Sequence, residues 1–115
     1  LGTVDGLWRW SRALHDGRVL KPETYRRMVT PEGAAAQANY GLGLVAGRVR
    51  DEAALLHGGG IPGYTSVLLE LPGPRITVAL LRNSDGPGGN LEMLAQQLAA
   101  VALGRPYPDG PAVEV

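Results

Sequence analysis

The chain has no cysteine and no phenylalanine among its 115 residues, and its aromatic side chains are two tryptophans and four tyrosines. Without cysteine, disulfides and thiolate chemistry are excluded, while any redox compartment stays open. Two histidines far apart, with no cysteine beside them, argue against a zinc site, and nothing in the sequence asks for a cofactor. Charge of one sign is missing too: Lys plus Arg and Asp plus Glu are both 11, which removes the usual reason to expect a nucleic acid or an anionic membrane as partner. No apolar run approaches the ~18 residues of a membrane span. There is no initiating methionine and no charged-then-apolar leader, so the chain is expected to be processed or cut from something longer. What remains is one domain's length, a core restricted largely to Leu, Val and Ala, and 17 glycines with 9 prolines to turn it.

The elements follow from periodicity. Thr3 is a good N-cap, Asp5 suits the first turn, and Leu7, Trp10 and Leu14 recur at helical spacing, giving a helix over 3–16 that Gly17 stops. His15 in its last turn is read as a residue suited to the helix dipole, and Trp8 and Trp10 as packing anchors between helix and sheet. Pro22 opens a second helix over 22–29, and Glu32 to Ala38 reads as a loop. Alternation over Tyr40 to Val45 predicts a strand at about 40–47, and further strands follow at 53–58, 64–71 and 75–82. The Ile76–Leu81 run is apolar throughout and is expected to be buried on both faces. Leu91, Leu94, Leu98 and Val101 mark the inward face of a helix over 90–103, with Glu92, Gln96 and Gln97 opposite, and 104–115 reads as a loose tail. Short connections make the four strands antiparallel neighbours. The fold class is therefore α+β, an antiparallel meander flanked by helices.

The stretch with the most chemistry is Leu55-Leu56-His57-Gly58-Gly59-Gly60-Ile61-Pro62-Gly63-Tyr64. Three glycines behind a titratable side chain build a poor core but let another molecule approach the main chain. The reading is a strand whose edge faces a cleft, with His57 at its start, where it can hold or move a proton near neutral pH. The plain competitor is a glycine-rich hairpin with a surface histidine. A His-Gly-Gly-Gly of the α/β-hydrolase kind requires a G-x-S-x-G elbow downstream, and none follows Gly60.

Five pieces taken together resemble the C-terminal part of the serine β-lactamase and penicillin-binding-protein superfamily, in particular its class C-like β-lactamases, D-alanyl-D-alanine carboxypeptidases and esterases. They are Gly2–Trp10, Gly17–Thr24 leading to Met28–Pro31, Tyr40–Gly43, His57–Tyr64 and Val78–Asn83, in the family's order, covering the chain to about Leu103. The resemblance implies that His57-Gly58-Gly59 takes the place of the K-T-G or H-x-G triad. His57 would then stand beside the nucleophile, Gly58 and Gly59 would keep the edge clear for substrate, and the Gly60 N–H would complete an oxyanion hole. The family's other motifs are missing: no serine is followed three residues on by lysine, and no tyrosine two residues on by asparagine. The resemblance thus implies a serine hydrolase whose nucleophile lies in an upstream part of the same protein. It would act on a small or peptide-like amide, lactam or ester, outside the cytoplasm, with no metal or cofactor. Upstream strands would join this sheet, so the isolated chain is expected to be inactive and to self-associate or be only marginally folded. The alternative is a non-catalytic packing or binding module.

Overall fold

A computed structural model describes residues 2–105. The order is α1 (Val4–His15), α2 (Pro22–Val29), a 3₁₀ turn (Gly33–Ala38), β1 (Val45–Val49), β2 (Glu52–Ile61), β3 (Tyr64–Leu71), β4 (Ile76–Arg82) and α3 (Leu91–Ala102). The strands form one antiparallel sheet in the order β1-β2-β3-β4, the meander expected from the short connections. Thr3 caps α1, its hydroxyl accepting from the Gly6 N–H at 3.0 Å. Asn90 caps α3, its Oδ1 accepting from Glu92 at 2.9 Å and Met93 at 3.3 Å.

Strand alternation sorts the sheet into two faces. On one, Ala54 and Leu56 of β2 and Val67, Leu69 and Leu71 of β3 join Val49 and the alanines of α3, Ala95, Ala99 and Ala100, in the main core. Each such leucine contributes about 1.5–3 kcal/mol by leaving water. On the other face α1 lies across β4 and β3 and brings a charge with it. Glu70, 1% exposed, is ion-paired with Arg12 and accepts hydrogen bonds from Ser11 Oγ at 3.3 Å and Thr77 Oγ1 at 2.5 Å. A carboxylate this deep is tolerated because its lone pairs are taken up.

Several expectations are corrected. The first strand does not span 40–47. Gly41 to Leu44 form a tight turn, closed by the Gly41 N–H to Leu44 carbonyl bond at 2.7 Å, and pairing with β2 begins at Val45. The alternation of 40–45 is that of a turn with two glycines, one of them, Gly43, at φ 91°. The second strand runs past 58 to Ile61. Residues 33–38 are a 3₁₀ turn rather than a loop. β4 is only half-buried: helices cover both its faces, yet it is an outer strand of the sheet and Leu81 is largely open. Both tryptophans stand half in solvent. The inward face of α3 is also largely different from the expected one, only Leu91 of its four residues packing against the core. Ala95, Gln96, Ala99 and Ala100 are buried, whereas Leu94, Leu98 and Val101 face out, because close approach of helix to sheet requires small side chains. The tail expected at 104–115 lies, from Pro106 on, outside the described residues.

Candidate active-site edge

β1 pairs with β2 only as far as Val45 opposite Leu56. Beyond that point β2 continues for His57 to Ile61, paired on its other side with β3 from Leu68 to Tyr64. Among the described residues no strand covers the outer edge of those five residues. The turn at 41–44 is the cause. It is anchored by the Leu42 N–H on the Met28 carbonyl at 2.8 Å, and it folds the preceding chain back so that Asn39 accepts from the Ala46 N–H at 2.7 Å. That reversal brings Tyr40 to His57.

The His57 imidazole is held at both nitrogens. Nδ1 lies 2.5 Å from the Gly58 carbonyl oxygen, and the Tyr40 hydroxyl lies 2.9 Å from Nε2 with the rings edge to face. A carbonyl only accepts, so Nδ1 carries the proton and, in the neutral ring, Nε2 accepts from Tyr40. The side chain is exposed, and Tyr40 occupies its Nε2.

A cleft of about 590 Å³ opens along this edge. Its walls are His57 and the three glycines of β2, Thr65 and Ser66 of β3, Arg82 of β4, and Asn90, Leu91 and Glu92 at the start of α3. The glycines are not equivalent. A Cβ on Gly58 would lie 2.6 Å from Glu92 Oε1, and one on Gly59 would lie 2.6 Å from Ser66 Oγ, whereas one on Gly60 would meet nothing within 4 Å. Gly58 and Gly59 are thus glycine because neighbours occupy their side-chain space, and Gly60 presents bare backbone. A second hollow of about 610 Å³ lies on the other side of Gly59 and Gly60, with Ile61, Tyr64 and Leu81 on its rim. The glycine edge is the thin partition between the two.

The hairpin tip is fastened to the loop after β4. Asp85 Oδ2 accepts from the Gly63 N–H at 2.7 Å, and Thr65 Oγ1 donates to the Ser84 carbonyl at 3.0 Å. Arg82 Nε donates to Thr65 Oγ1 at 2.9 Å, and its Nη1 reaches the Gly89 carbonyl at 3.4 Å.

All four residues singled out from sequence, His57, Gly58, Gly59 and Gly60, line this one cleft. His15 does not. It is half-buried between α1 and α2, its Nδ1 2.6 Å from the Tyr25 hydroxyl, and burial, with Arg12 beside it, pushes its pKa down. It therefore favours the neutral ring, in the last turn of α1 where it was expected. Sequence reasoning missed Tyr40, Ser66, Arg82 and Glu92. Cross-strand register, counted from the hairpin at Ile61–Tyr64, places Ser66 opposite Gly59 and Arg82 opposite Thr65, and so carried a signal for two of them.

No family model matches the chain. Its sequence is similar to a D-aminopeptidase of Gluconobacter oxydans (strain 621H), 27% identical over 107 residues that make up 91% of this chain and 20% of that protein. The fold matches the octameric penicillin-binding protein homologue from Pyrococcus abyssi with a TM-score of 0.77, at 23% identity, over 91% of this chain and 25% of that one. It also matches the D-amino acid amidase from Ochrobactrum anthropi SV3, solved with D-phenylalanine, at a TM-score of 0.61 and 24% identity, over 85% of this chain and 34% of that one. All three are members of the serine β-lactamase and penicillin-binding-protein superfamily. The chain spans between a fifth and a third of the length of these relatives.

Proposed function

We propose that this chain, which has the fold of the serine β-lactamase and penicillin-binding-protein superfamily, supplies the substrate-binding edge of a serine hydrolase that works through an acyl-enzyme. The observation that carries the reading is the abrupt end of β1 pairing at Leu56, which leaves His57 to Ile61 as an open edge made mostly of glycine beside a cleft. Such an edge can take an extended substrate by main-chain hydrogen bonds. The activities of two relatives, an aminopeptidase and an amidase, favour an amide bond as the target; ester and β-lactam substrates are the competing outcomes.

In this reading a serine outside the present chain attacks the carbonyl carbon, and the C=O electron pair moves onto oxygen. The Gly60 N–H and the nucleophile's own N–H hold that oxyanion, a donor of this kind contributing about 3–4 kcal/mol to the transition state. The serine proton passes to a base near the nucleophile and on to the leaving amine as the C–N bond breaks; water then cleaves the acyl-serine ester. His57 accepts a hydrogen bond from the substrate or the nucleophile at Nε2 once Tyr40 releases it. The whole protein is read as exported, following the family likeness.

The test is Gly59→Val in the full-length protein with D-alanine p-nitroanilide. A side chain at Gly59 displaces Ser66 and crowds the edge, so kcat/KM is expected to fall at least tenfold with little change in melting. Unaltered turnover overturns the assignment of this edge. An upstream coding sequence without S-x-x-K overturns the serine mechanism and favours a binding module. The present chain alone, none of whose serines is followed three residues on by lysine, is expected to hydrolyse neither nitrocefin nor p-nitrophenyl acetate above the buffer blank.

A further inference from the structure

Glu92 sits on the first turn of α3, where a carboxylate suits the helix dipole and ordinarily points to water. Here it is half-buried and turned toward the glycine edge, its Oε1 occupying the space a side chain on Gly58 would need. Its carboxylate has no hydrogen bond or ion pair with any described residue. Arg82 lines the same cleft but directs its guanidinium at neutral oxygens of Thr65, Ser84 and Gly89, and no ion pair joins it to Glu92. A partly desolvated carboxylate without a counter-charge, beside the strand that would carry substrate, selects a small cation able to donate hydrogen bonds. A metal ion is disfavoured, because among the described residues no three His, Asp or Glu gather to hold one.

We infer that Glu92 binds the free α-ammonium group of the substrate's acyl residue, so that the cleft selects amides of amino acids or N-terminal peptide bonds over N-acylated ones. This rests on the reading that the acyl group lies along the His57–Gly60 edge. In that pose the ammonium is one bond from the α-carbon and reaches past Gly58 toward Oε1, and Glu92 is a specificity residue outside the bond-breaking machinery.

The experiment compares D-alanine p-nitroanilide with its N-acetyl derivative in the full-length protein, wild type and Glu92→Gln. The free-amine substrate is expected to lose at least tenfold in kcat/KM, mainly through KM, while the N-acetyl compound changes by less than twofold. Glu92→Asp is expected to recover part of the loss. Equal losses on both substrates, or none on either, overturn the inference, and an unchanged melting temperature separates specificity from misfolding. If the wild type hydrolyses neither compound, the proposed function fails, and Glu92 is then judged by binding alone. D-alaninamide should shift the Gly58 amide resonance of the wild type but not of Glu92→Gln, and N-acetyl-D-alaninamide should shift neither. Binding of both compounds alike, or of neither, overturns it.

Discussion

β2 is one strand with two characters. From Glu52 to Leu56 it is covered by β1, with β3 joining on the other side at Leu55 and Leu56, and it buries Ala54, Leu55 and Leu56; from His57 to Ile61 it is paired with β3 alone, and only Gly58 is better than exposed. The register with β3 runs unbroken from Leu55 to Ile61, across the boundary between the halves, so the difference does not come from a bulge or a slip. It comes from what lies alongside: five residues of β1 in the first half, and a turn that ends β1 in the second. A strand can therefore be core and open edge at once, provided its neighbour is shorter than it is.

The comparison is broken most forcefully from the paired half. Glu70, opposite Leu55, ties that half to α1 through Arg12, and Glu70→Ala strands a buried guanidinium. A loss of about 3–5 kcal/mol is expected in urea denaturation, and less than 1 kcal/mol would mean that water takes over the site. Leu56→Ala, at the last doubly paired residue, should cost about 2–5 kcal/mol by the same measurement. Four residues on, Gly60→Ala enters open space. It is expected to change stability by no more than about 1 kcal/mol, with a gain favoured because alanine restricts the unfolded chain. A cost as large as that of Leu56→Ala would erase the distinction between the halves.

The smallest effect lies away from the sheet. The pKa of His15 is depressed in the folded chain by burial and by Arg12, so the unfolded chain binds more protons. Its contribution is present above the unfolded value of about 6.5 and is lost as pH falls through the lower folded value. A plot of stability against pH should slope upward as pH rises toward the unfolded value of about 6.5, and His15→Gln should flatten it. An unchanged slope would remove His15 as the source.

The meander and its glycine edge were legible because each depends on local chemistry: alternation, Pro72-Gly73-Pro74 after β3, three consecutive glycines beside a histidine. The likeness to a known superfamily was legible for the same reason, in short pieces that keep their order. The start of β1 was not, since Tyr40 to Val45 alternates as a strand does while Gly41 and Gly43 use their freedom to turn. The inward side of α3 was misread because hydrophobicity favours leucine, whereas a helix laid closely on a sheet needs alanine at the contact. Tyr40 and Glu92 come to His57 and Gly58 from 17 and 34 positions away, and no periodicity reports a meeting of that kind.

The fastening of the hairpin has a mechanical consequence. Gly63 is held to Asp85, Thr65 to Ser84, and Arg82 to Thr65, so a swing of the end of β2 away from the loop leading to α3 must break these bonds. Edge, loop and the turn bearing Glu92 displace together, as one stiff jaw with a fixed spacing between its teeth. In the hydrolase proposed above, a jaw of that kind would serve as an anvil: it would set the reference position for whatever is pressed against it, and the travel needed to admit or release a molecule would fall to the opposing wall.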